Sequence, residues 1–70
     1  MPENESKKRI NINEATPEEL KTLPSVGPAI ADEIIEHRTN VGPFEKREDL
    51  MEIRGISVRV YWELADRIMV

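Results

Sequence analysis

Apolar residues run along this chain in two similar waves. From Glu18 the sequence reads EELKTLPSVGPAIADEI, and from Glu48 it reads EDLMEIRGISVRVYWEL. The offset is 48 − 18 = 30 residues with no gap, and it sets Leu20 with Leu50, Leu23 with Ile53, Val26 with Ile56, Ile30 with Val60 and Ile34 with Leu64. Five matched apolar positions point to an internal duplication. The small residues trade places between the copies: Ser25 corresponds to Gly55, and Gly27 to Ser57.

Each copy predicts a helix, a tight turn and a second helix. In the first, Thr16 is the N-cap, Pro17 suits the first helical position, and Glu19 completes a T-x-x-E capping box. This short helix ends near Leu23-Pro24, since a residue before proline avoids the helical region. The turn is Ser25-Val26-Gly27, and Pro28 opens a helix running to about His37 or Arg38. Ile30, Ala31, Ile34 and Ile35 form its apolar stripe. Thr39 to Phe44 is a connector punctuated by Gly42-Pro43, with Phe44 as the plug between the halves. The second copy begins with a short helix from Lys46 to Glu52, turns at Arg54-Gly55-Ile56-Ser57 with Ser57 as N-cap, and ends in a helix carrying Val60, Tyr61, Leu64, Ala65 and Ile68. Ahead of both copies, Ile10 to Asn13 alternates like an extended strap with Ile10 and Ile12 on the core.

Neither hairpin can bury its apolar face alone, so the two must pack on each other. The expected fold is an all-α compact globule with a pseudo-two-fold internal repeat, copy 1 spanning about 16–38 and copy 2 about 46–68, inside a single domain of residues 10–70. Residues 1–9 are polar and charged and read as a disordered tail, either native or left from a longer chain. The axis exchanges the two turns, which places them on one side of the molecule.

That placement carries the candidate chemistry. A helix start leaves its first amides unpaired and holds a partial positive charge. A turn of small residues lets a ligand's backbone approach, so turn and helix start together form an anion site suited to phosphate. Two such sites side by side fit a nucleic-acid backbone, and base edges go unread. The candidate DNA-binding residues are Lys21, Ser25, Val26, Gly27 and Ala29 at the first turn, and Arg54, Gly55, Ile56, Ser57 and Arg59 at the second. Composition pulls the other way: the chain carries ten Lys and Arg against fourteen Asp and Glu, a formal net charge of −4. Binding therefore rests on a local site and two to four phosphates, which gives a log K against log salt slope of about −2 to −3.6.

The strap ININ, the turn LPSVGP, the connector HRTNVGPF and the turn IRGIS, in that order and spacing, resemble the helix-hairpin-helix domain of ComEA type, the DNA receptor family of bacterial competence. The likeness spans Ile10 to Val70. It implies a tandem helix-hairpin-helix (SAM-domain-like) fold that binds double-stranded DNA without sequence specificity, as in DNA uptake. It also implies a possible monovalent cation on the hairpin carbonyls, the one cofactor to consider. The chain departs from the family's Gly-hydrophobic-Gly hairpin by one glycine in each turn, and Ile30 stands where the family often has lysine. Arg59 and Arg54 make the second hairpin the better phosphate site, while Asp32 and Glu33 weaken the first.

A second reading keeps the fold without the DNA. Val58 and Trp62 lie on one flank of the last helix, away from its buried stripe, where the family is usually polar. An exposed Val58–Trp62 pair would be a protein-partner or self-association surface; the alternatives are a Trp62 folded back over the core or stacked on a base. The run Lys7 to Arg9 is either a solubilising tail or an electrostatic arm. His37, the sole histidine in a chain without cysteine, gives no pattern for a metal site. Neither a nucleophile with its base nor a phosphate loop after a strand is present, so the chain reads as non-enzymatic. No apolar run reaches membrane-spanning length, and the compartment is left unassigned, cytoplasmic or on the outer side of a membrane.

Overall fold

The computed structural model describes residues 9–70. Lys7 and Lys8 of the basic run fall outside that range, while the Arg9 guanidinium donates to the Asp66 carbonyl at 3.1 Å. The strap forms β1 (Ile10–Asn11), and then come α1 (Pro17–Leu20), α2 (Pro28–Asn40), a 3₁₀ helix (Arg47–Glu52), α3 (Val58–Leu64), a 3₁₀ turn (Ala65–Arg67) and β2 (Ile68–Met69). β1 and β2 run parallel, with Ile10 opposite Ile68 and Asn11 opposite Met69. The class is predominantly all-α, and the two short strands close a clasp between the start and end of the described chain.

The helix starts follow their side-chain chemistry. Thr16 Oγ1 accepts from the Glu19 amide at 3.2 Å and Glu19 Oε1 accepts from the Thr16 amide at 2.9 Å, a complete capping box. Pro17 and Pro28 each take the first helical position, where a missing N–H costs nothing. Ser57 Oγ accepts from the Val60 amide at 3.2 Å and caps α3.

Three boundaries differ from the sequence expectation. α2 continues through Thr39 and Asn40, so the connector is shorter than its turn residues suggest, and the helix ends at the Val41 cap just before Gly42, whose φ is +136°. The short helix of the second copy is 3₁₀ rather than α. The last α-helix ends at Leu64, and Ile68 reaches the core from β2 instead of from a helical stripe. A main-chain partner in β1 favours the extended form there, and no local signal announces it.

Burial repeats at the 30-residue offset. Leu20 and Leu50 are both 0% exposed, Leu23 and Ile53 both 4%, and Ile34 and Leu64 both 0%. Ile30 and Val60 are both partly buried and pack against the edge of the core. Phe44 is buried between the halves, as its plug role requires. Asn13 holds it there: its Nδ2 donates to the Phe44 carbonyl at 3.0 Å and its Oδ1 accepts from the Phe44 amide at 2.7 Å. The His37 ring stacks on Phe44 at 4.7 Å between centroids. Arg38 donates to the Ile12 carbonyl at 2.9 Å and Arg47 to the Ala65 carbonyl at 2.6 Å. Two of the chain's cations therefore tie strap and C-terminal turn to the helices.

Candidate nucleic-acid interface

The two turns share one backbone. In the first, the Val26 amide donates to the Leu23 carbonyl at 3.2 Å; in the second, the Ile56 amide donates to the Ile53 carbonyl at 3.0 Å. Val26 and Ile56 are buried and act as plugs that anchor each turn to the core. The residue between carbonyl and plug is left-handed in both, Ser25 at φ 65° and Gly55 at φ 98°. The residue after the plug is an extended N-cap in both, Gly27 and Ser57. The traded small residues are thus not equivalent. Gly55 stands where glycine is wanted, whereas Ser25 bears the left-handed conformation with a side chain. Gly27 has φ −99° and open space where a Cβ would go, so its turn does not require glycine.

The turns lie together. A Cβ on Gly55 would come within 3.2 Å of the Ile30 side chain, at the start of α2. Ser25 Oγ donates to Glu63 Oε1 on α3 at 3.1 Å. Each hairpin therefore packs against the helix that the other opens, which is the arrangement a pseudo-two-fold axis produces.

Their free donors differ. α2 is 13 residues long and its Gly27 cap has no side chain, so the Ala29 and Ile30 amides have no partner among the described residues. α3 is seven residues long and Ser57 already satisfies Val60, which leaves the Val58 and Arg59 amides. The charges are distributed the other way. Arg54 and Arg59 are exposed at the second turn, and Lys21 is exposed ahead of the first. Among the described residues no hydrogen bond or ion pair holds these three, in contrast to Arg9, Arg38 and Arg47 on their carbonyls. Exposed Asp32 and Glu33 follow the first turn, and Glu33 and Glu36 share a recess with Arg54. The first hairpin offers the longer helix and the barer amides, and the second offers the cations.

Glu63 was not among the sequence candidates. Its approach to Ser25 crosses 38 residues of chain, and only the packing of the two copies creates it. The Val58–Trp62 pair is exposed, Val58 at 61% and Trp62 at 69%, and the indole makes a T-shaped pair with Tyr61 at 5.4 Å between centroids instead of folding over the core. His37 Nε2 lies 3.3 Å from Glu52 Oε1, and among the described residues no group of three acidic or histidine side chains could hold a metal ion.

A helix-hairpin-helix motif family model matches residues 5–69. ComE operon protein 1 of Bacillus subtilis is 38% identical over 61 residues, covering 87% of this chain and 30% of that protein. A Haemophilus influenzae protein described as uncharacterized is 36% identical over 62 residues, 87% of this chain and 55% of that protein. The human endonuclease/exonuclease/phosphatase family domain-containing protein 1 is 49% identical over 51 residues, 73% of this chain but 9% of that protein. The chain thus spans about a tenth of the length of that relative, and its likeness to it is confined to the hairpin region.

Proposed function

Since the chain belongs to the helix-hairpin-helix family and its domain is of the ComEA type, we propose that it binds the backbone of double-stranded DNA without reading sequence. Membership of the family supports nucleic-acid binding, and the ComE relative supports a setting in DNA uptake. One observation carries the reading: two turns of identical backbone pattern, each packed against the other's helix, hold unpartnered amides on one side of the molecule. Phosphates of a strand meet the Ala29 and Ile30 amides at the first turn. Arg54 and Arg59 attract them at the second, and Lys21 adds charge beside the first. Val26 and Ile56 anchor the turns and do not ligate phosphate, because their side chains are buried and their amides are taken by the Leu23 and Ile53 carbonyls. Carbonyls of Leu23 and Ile53 each give one lone pair to the turn and keep the other, so a monovalent cation has donors there and would screen an approaching phosphate. Main-chain amides on phosphates carry no base information, so the proposed fit is to the backbone.

Three cations against a net charge of −4 make the affinity modest. Titration of a labelled blunt duplex should give a salt slope of about −2.7 for three neutralised phosphates. Scrambled duplexes of equal length should bind within about twofold of one another. Absence of binding at low salt, or a strong preference for one sequence, would refute the proposal.

A further inference from the structure

We infer that Trp62, with Arg59 and Val58 beside it, forms a stacking platform for an unpaired base of single-stranded DNA. The inference rests on the DNA reading above and extends it from backbone to base. Trp62 is the sole tryptophan of the chain and is 69% exposed, on a helix whose buried side is filled by Tyr61 and Leu64. Val58, at 61% exposure, lies one turn before it on the same flank. Arg59, three residues before Trp62, is its neighbour across the helix surface and is also exposed. A cation and an open aromatic face one helical turn apart match the phosphate and the base of a single nucleotide.

The occupant follows from size and charge. A protein interface of ordinary stability needs about 800 Å² on each side. Two apolar side chains, bordered on one flank by Arg59 and Glu63, offer far less. A duplex interior is unsuitable as well, because its bases are stacked on each other and present no free face. A strand end, a flap or a single strand does present one, and stacking on an aromatic side chain tolerates any base. The platform then adds a preference for exposed bases to a surface that reads no sequence.

The test pairs anisotropy of labelled DNA with emission from the sole indole, using the full chain. A duplex with a short single-stranded overhang is compared with the blunt duplex at one salt concentration. The overhang should bind about fivefold more tightly or better and quench Trp62, while the blunt duplex binds with little quenching. Trp62→Ala should erase the gap without weakening blunt binding, and Trp62→Phe should keep most of it; circular dichroism verifies the fold of both. Equal affinities for the two DNAs, unchanged in Trp62→Ala, would overturn the inference and leave the duplex reading standing. Quenching by the overhang without blunt binding would support the platform and overturn the duplex reading. A concentration-dependent mass in sedimentation that Trp62→Ala abolishes would overturn the inference in favour of self-association.

Discussion

Ser25 holds φ at 65°, where a Cβ crowds the following carbonyl, and its only described side-chain partner is the Glu63 carboxylate across the repeat. Glycine there relieves the crowding at the cost of a looser unfolded chain, and the exposed hydrogen bond contributes little. Ser25→Gly should therefore stabilise the domain by about 0.5 kcal/mol in urea denaturation. The reverse change at the matching position, Gly55→Ser, adds left-handed strain and a 3.2 Å approach to Ile30, and should cost about 1–2 kcal/mol. Gly27→Ser separates stability from binding. The new hydroxyl can cap the Ile30 amide as Ser57 caps Val60, which adds a few tenths of a kcal/mol. The same hydroxyl competes with phosphate for that amide, so duplex affinity should fall about threefold in the anisotropy titration. Tyr61 gives a pH signature. Burial, then the nearby Glu48 carboxylate, raises its phenol above the ordinary value of 10.0. The folded state keeps that proton longer than the unfolded state, so stability declines as pH rises past about 10. Tyr61→Phe should lack this part of the alkaline loss in urea midpoints taken across that range.

At the scale of elements, short pieces are held by specific partners more than by their own propensity. α1 is one turn long and depends on the Thr16–Glu19 box. The connector after α2 is fixed by Asn13, which bonds both main-chain groups of Phe44 and so joins the strap to the plug. Asn13→Ala removes both bonds and leaves the Phe44 amide and carbonyl without partners, which should cost about 2–3 kcal/mol in denaturant unfolding. The capping box, the proline starts, the Ser57 cap and the Phe44 plug are all legible in the sequence, because each depends on residues within a few positions of one another or on a lone large apolar side chain. The 3₁₀ form of Arg47–Glu52 is not legible, since its six residues are equally suited to an α-helix.

At the scale of the molecule, the β1–β2 clasp and the two packed hairpins form one core. Ile68, fully buried beside the strap, anchors the clasp. Ile68→Ala should cost about 2–5 kcal/mol, a large part of the stability of a domain this size, and should broaden the thermal transition. The proposed DNA binding belongs to this scale as well. It needs both turns on one side, so a variant that loosens the core should lose duplex affinity even with every hairpin residue intact.

The sequence by itself determined the duplication, the order of helix and turn, the apolar positions of the core and the likeness that places the chain in its family. Local chemistry and the 30-residue period suffice for these, because both are written along the chain. Only the tertiary structure decided that Ser25, and not Gly27, carries the left-handed turn, that Glu63 meets it, and that Ile68 pairs with the strap as a strand. These depend on which main-chain groups and side chains the packing of two copies brings together across tens of residues. The same packing leaves the Ala29 and Ile30 amides bare and the Trp62 ring in solvent, and it is there that the domain's contact with DNA is proposed.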